Sequence, residues 1–167
     1  MAYPQDHIPP FEQVEIADDI LNEVFSIMKQ LKIKTFLVFG TCLGFVRDGG
    51  YIQGDSDIDL GIICNWREMK SLAKVFRANN FVVRRIIPKA RHIHFLKNKV
   101  WIDIFFFSEN TEFYSKFDSV QYKNKVYPVP HPVEEYLSRC YSNWKVKENE
   151  PSRYRESYTL HNWKTEK

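Results

Sequence analysis

Asp55, Asp57 and Asp59 stand at alternate positions in Asp55-Ser56-Asp57-Ile58-Asp59-Leu60, a few residues after the small-residue turn Gly40-Thr41-Cys42-Leu43-Gly44-Phe45-Val46-Arg47. Side chains on an extended strand alternate between faces, so these carboxylates would project together while Ile58, Leu60 and Ile62 enter a core. Three like charges on one face are unfavourable unless a cation neutralises them. A divalent metal site answers that problem. Gly40-Thr41 at the start of a short helix adds backbone N–H groups able to cradle phosphate oxygens, and the glycine lets a ligand come close. Together they are the minimal equipment for chemistry on a nucleotide; the alternative is a solvated strand end whose aspartates cap turns or pair with arginine.

Asp103 lies in the otherwise apolar run Val100-Trp-Ile-Asp-Ile-Phe-Phe-Phe107. An unpaired buried carboxylate is costly, so it is either a structural acceptor or a site residue. We favour the second: Asp103 faces Asp57 and Asp59 from a neighbouring strand, as third metal ligand or general base. Arg47, at the end of the short helix, either neutralises a phosphate or pairs with Asp48 or Asp55. His92 and His94 share a strand face, a spacing that can bind metal. With no third ligand near them in sequence, they read as substrate contact or packing, and His94 and Asp55 are the candidate substrate contacts. Cys42 has no partner that would make it a nucleophile.

The elements that must hold these residues are readable in outline. Ile16, Ile20, Val24, Ile27, Met28 and Leu31 recur at three- and four-residue intervals, which predicts a helix over 15–31. Thr35–Phe39 reads as a buried strand ending at Gly40, and Thr41 to about Arg47 as a short helix closed by Asp48-Gly49-Gly50. Asp57–Cys64 is a second strand and Trp66–Ala78 a helix broken by Asn79-Asn80. Phe81–Ile87, Arg91–Leu96 and Val100–Phe107 are β-rich, the last two joined by a turn at Lys97-Asn98-Lys99. A second hairpin is expected across Lys123-Asn124-Lys125, while Pro128, Pro130 and Pro132 argue against regular structure. Glu134 to about Trp144 is expected to form a closing helix. Residues 1–10 read as an extended lead-in and 145–167 as a polar tail.

The 167 residues suit a single α/β domain with its core over about 12–144. A net charge of +3 fits an anionic ligand but not a dedicated nucleic-acid binder. No apolar run is long enough to span a bilayer, and the N-terminus lacks a signal-peptide pattern. Three cysteines without a Cys-x-x-Cys pair point to a reducing, cytoplasmic setting.

The run Gly40–Arg47, then Gly50-Tyr51-Ile52 and Asp55-Ser-Asp-Ile-Asp59, resembles the LicD family of the nucleotidyltransferase superfamily, which includes fukutin-related protein. Trp101-Ile-Asp103, Tyr127-Pro-Val-Pro130, Tyr136-Leu137 and Tyr141 extend the similarity over roughly 36–144. Ser56 stands where the family often has another Asp, and Gln53-Gly54 replaces a usual Pro-Trp pair. The resemblance implies a nucleotidyltransferase-like mixed β-sheet flanked by helices. It implies transfer of a phosphorylated alcohol, such as phosphocholine or a phosphopolyol, from a CDP-activated donor to a glycan hydroxyl, releasing CMP. It further implies Mg²⁺ (or Mn²⁺) on Asp57, Asp59 and Asp103, with Gly40 and Thr41 on the diphosphate. The same residues also suit transfer of an NMP from an NTP to a small hydroxylated acceptor, or a nucleotide-binding module without catalysis.

Overall fold

The computed structural model describes residues 14–141 and 143–147, so the lead-in over 1–10 and the tail beyond 147 lie outside the described residues. Helix α1, Val14–Gln30, buries the stripe Ala17, Ile20, Leu21, Val24, Ile27 and Met28, the three- and four-residue spacing of a one-faced helix. It ends where Lys32 turns left-handed and the Ile33 N–H returns 2.9 Å to the Met28 carbonyl. Strand β1, Lys34–Leu37, leads directly into α2, Phe39–Arg47. The helix therefore starts two residues before the expected Thr41, and Phe39 and Gly40 are helical rather than strand.

Strand β2, Asp57–Ile63, is followed by a 3-10 turn at Trp66–Glu68 and α3, Met69–Ala78; the Asn65 side chain accepts the Arg67 N–H and starts that turn. Strands β3 (Val82–Ile87), β4 (His92–Lys97) and β5 (Val100–Phe107) come next. Asn98 and Lys99 between β4 and β5 both have positive φ, the requirement of a two-residue hairpin turn. The second hairpin pairs β6, Phe117–Tyr122, with β7, Lys125–Pro130. Contrary to expectation, Pro128 and Pro130 lie within β7. Spaced two apart opposite Ser119 and Phe117, they occupy positions of equal parity, where the absent N–H faces away from β6. Helix α4, Val133–Cys140, stops short of the expected Trp144.

The main sheet runs β1-β2-β5-β4-β3, and β2–β5 is parallel while the other pairs are antiparallel. β5 is central and buried along nearly its whole length, which explains its continuous apolar run. Ile58, Leu60, Ile102, Ile104, Ile93 and Phe95 share one face, where Phe76 of α3 stacks on Phe95 at 4.4 Å. On the other face the C-terminal half of β2 and β5 is covered by an aromatic cluster in which Phe36 of β1 packs on Phe107, Tyr114 and Phe117. Gly61 makes room for that cluster, since a Cβ there would lie 2.4 Å from the Phe36 ring. The N-terminal half of the same face is left to the polar residues. No helix among the described residues is long and apolar enough to cross a membrane.

Candidate active site

Strand register builds the site as successive cross-strand rungs on one face. From β3 to β2, the first runs Val82, Leu96, Trp101, Asp57 and the second Arg85, His94, Asp103, Asp59; the third runs Ile87, His92, Phe105, Gly61. The parallel pairing of β2 with β5 thus sets Asp59 directly beside Asp103, from segments far apart in the chain. Asp57, Asp59 and Asp103 each offer an oxygen, and these atoms lie within 4.8 Å of one another. Asp55 is not on the strand but in the loop before it. Its carboxyl nonetheless hydrogen-bonds to that of Asp57 and comes near Gly40, where an added Cβ would be 3.7 Å from its Oδ2.

The start of α2 closes the site from the β1 side. Val38, at the N-cap, offers no side-chain acceptor, so the orphan N–H groups of the first turn need tertiary partners. The Phe39 N–H donates to the Tyr136 hydroxyl at 3.1 Å and the Gly40 N–H to Asp59 Oδ2 at 3.1 Å. Thr41 is fully buried, and its hydroxyl accepts the Asp59 N–H at 2.8 Å. The Gly40-Thr41 turn thus grips β2 at Asp59. Gly40 is constrained by contact: a Cβ there would lie 3.2 Å from Asp59 Oδ2.

Electrostatically the three carboxyls differ. Burial raises the Asp57 and Asp59 carboxyls well above the usual range, and repulsion adds to it: from Asp59, Asp55 and Asp103 on Asp57, and from Asp103 and Asp55 on Asp59. Burial also raises Asp55, against its hydrogen bonds to Asp57 and the Ser56 N–H. Asp103 behaves oppositely. Burial pushes it up, but His92 and His94 outweigh that and hold it at about 2. His94 Nδ1 lies 2.7 Å from Asp103 Oδ1, and His92 Nε2 lies 3.5 Å from Oδ2, long for a hydrogen bond. His92 stacks on Phe105 at 4.0 Å, and burial lowers its pKa. The histidines and Asp103 form a second possible ligand group, but Asp103 Oδ1 is already engaged by His94.

Arg47 is engaged elsewhere. Its guanidinium makes two 2.9 Å contacts to Asp48 and reaches the Trp144 carbonyl at 3.4 Å. It also sits at the far end of α2 from Gly40, about 10 Å along the axis at 1.5 Å per residue. Sequence reasoning gave no role to Tyr136, whose hydroxyl holds the first N–H of α2, or to Tyr141 just beyond α4. Burial raises the Tyr141 phenol, and the charges of Asp59 and Asp55 add to the shift, which places it near the carboxylates. Arg85, on the Asp103 rung, was equally invisible, because only strand pairing brings it there.

The family described as LicD/FKTN/FKRP, nucleotidyltransferase domain, matches residues 32–146. The chain belongs to this family. No curated protein matches the LicD-family chain in sequence. Among solved structures it is similar to the lincosamide antibiotic adenylyltransferase LnuA, lincomycin-bound. There the TM-score is 0.56 at 13% identity, over 72% of this chain and 83% of that one. It is also similar to the antibiotic-resistance factor ANT(2'')-Ia, with TM-score 0.56 and 13% identity over 89% and 83% of the two chains. At that identity the likeness shows the fold: a nucleotidyltransferase-like mixed sheet flanked by helices.

Proposed function

We propose that this protein is a divalent-metal-dependent transferase that moves a phosphorylated alcohol from a CDP-activated donor to a glycan hydroxyl. The observation that carries the reading is the convergence of Asp57, Asp59 and Asp103 within 4.8 Å at the start of α2, in a chain of the LicD family. The residues fit a hard cation. They present oxygen donors without a thiol, and their mutual repulsion is relieved by a positive charge between them. Asp57, Asp59 and Asp103 would hold it. Bound there, Mg²⁺ supplies charge neutralisation for the diphosphate and the departing CMP.

The chain's own residues do the positioning. Asp103, whose carboxyl its histidines hold in the ionised form, stands beside Asp59 as the third ligand. His94 fixes its orientation. The Gly40 N–H at the start of α2 orients Asp59, and the missing side chain of Gly40 lets that carboxylate lie against the backbone. The acceptor oxygen forms a bond to the alcohol-bearing phosphorus as the bond from that phosphorus to the CMP oxygen breaks, with a proton released to solvent. Alignment and charge neutralisation carry most of the acceleration. Three cysteines without a disulfide among the described residues suit a reducing cytoplasm.

Incubation with CDP-alcohols and with NTPs, with Mg²⁺ or EDTA, tests the reading. CMP released only with metal, and lost in Asp57→Asn, is the expected result. Pyrophosphate from an NTP would move the protein to NMP transfer onto a small hydroxylated acceptor. Nucleotide binding without turnover by folded protein would make it a non-catalytic module.

A further inference from the structure

A substrate carrying phosphates approaches three carboxylates, so fixed positive charge is needed beside whatever a metal contributes. Arg47, the cation nearest the turn in sequence, is committed to Asp48. The other edge of the site carries two arginines, Arg84 and Arg85. The pairing of β3 with β4 shifts register between Val83 and Arg85, so Arg84 is the extra residue of a bulge. A bulge re-aims side chains, here to the benefit of the site face. Arg85 falls opposite His94, on the rung that continues through Asp103 to Asp59. Arg84 carries its guanidinium carbon to 5.6 Å from the Trp101 ring centre, and Trp101 lies beside Asp57 on the neighbouring rung. His92 registers the charge of Arg85, which agrees with that placement.

Along these rungs the sheet face stays open. Val82 is 52% exposed, Leu96 and Trp101 are half-buried, and both arginines are exposed. The carboxylates are thus flanked on one side by the start of α2 and on the other by a small platform of indole and aliphatic surface, with Arg84 over the indole and Arg85 on the adjoining rung. Arginine forks match phosphate oxygens two at a time, and an indole face takes a sugar or base ring. The two functions sit side by side here, next to Asp57.

Building on the transferase reading above, we infer that Arg84, Arg85 and Trp101 form a substrate subsite for a ring-bearing phosphate ester, with the ring against Trp101 and the phosphate between the arginines. That chemistry is shared by the donor nucleotide and by a phosphorylated sugar acceptor. The two are separated by titrating CDP and, independently, glucose 1-phosphate into the protein at fixed Mg²⁺, by calorimetry and by tryptophan fluorescence. Wild type is compared with R84Q/R85Q, R84K/R85K and W101F.

The expected result is that one probe binds wild type, weakens at least tenfold in R84Q/R85Q, and recovers in part in R84K/R85K. The fluorescence change on binding should be lost in W101F. Melting temperatures of the arginine variants should match wild type, since both side chains are exposed. Weakened CDP assigns the subsite to the donor, and weakened glucose 1-phosphate assigns it to the acceptor. Unchanged binding of both probes in R84Q/R85Q, or no binding of either to wild type, overturns the inference. Failure of the transferase reading looks different: no CDP-alcohol or NTP is consumed, yet arginine-dependent binding persists.

Discussion

Replacing Tyr136 by Phe removes one oxygen, and the structure fixes what that oxygen does. Tyr136 is fully buried on α4, and its hydroxyl accepts the Phe39 N–H at 3.1 Å. Phe39 is the first residue of α2 and has a φ of 45°, a left-handed conformation that a non-glycine residue holds only under constraint. In Tyr136→Phe the buried N–H loses this acceptor, at a cost of about 1–3 kcal/mol. Relaxation of Phe39 returns part of the roughly 1–3 kcal/mol stored in its backbone, so the net loss is about 1–2 kcal/mol. For a chain of this size that lowers Tm by about 2–8 °C.

The ring itself remains, so its edge contacts to Phe113 at 5.6 Å and Tyr114 at 6.3 Å persist. Relaxing Phe39 also moves Gly40, whose N–H holds Asp59. Turnover should therefore fall about tenfold or more in protein that still melts cooperatively, because small misplacements at reacting groups are expensive. The assay is differential scanning calorimetry beside CMP release, with Tyr127→Phe as a buried-phenol control whose hydroxyl bonds Asn22 instead. A Tyr136→Phe protein with wild-type Tm and wild-type turnover would refute the claim that α4 sets the start of α2.

The Mg²⁺-induced rise in Tm should grow from pH 5 to pH 8. Raised carboxyls at Asp57 and Asp59 favour the apo fold while protonated, below the ordinary aspartate value of about 3.9, and lose that contribution as pH rises through their elevated values. Cation binding needs them ionised. A metal increment independent of pH would contradict the repulsion. Asp59→Asn should melt at or above wild type in EDTA but gain nothing from Mg²⁺, as read by paired thermal melts. Gly44→Ala should destabilise by about 1–3 kcal/mol in chemical denaturation, since its Cβ would lie 2.5 Å from the Gly50 carbonyl oxygen and 2.9 Å from the Ile52 nitrogen. A melt unchanged by that substitution would show that the loop over 50–52 yields freely.

The period-two pattern of Asp57-Ile-Asp-Leu60 and the unbroken apolar run around Asp103 were enough to specify two strands and which side chains each turns to the core. They do not specify that β5 inserts beside β2, yet that pairing brings Asp103 to Asp59. The start of α2 was misplaced because no side-chain cap marks it: its signals are Tyr136 and Asp59, residues remote in sequence. Arg47 looked near because sequence distance was the only distance available; helix geometry carries it away from Gly40 and Asp48 engages it. The prolines of β7 misled for a related reason, since propensity penalises an absent N–H without knowing that it points away from the partner.

The alternation of β2 has a further consequence, for how the chain finds its pairing. Sliding β2 by one residue against β5 would turn Ile58, Leu60 and Ile62 outward and drive Asp57 and Asp59 beneath α3, against Ile102 and Phe95. Each buried, unpaired carboxylate would cost several kcal/mol or be forced to take up a proton. Apolar strands in the middle of a sheet otherwise tolerate such slips, because one branched side chain resembles the next. Here the aspartates make the misaligned sheet the expensive one, so the same charges that strain the apo site also proofread the strand alignment on which it depends.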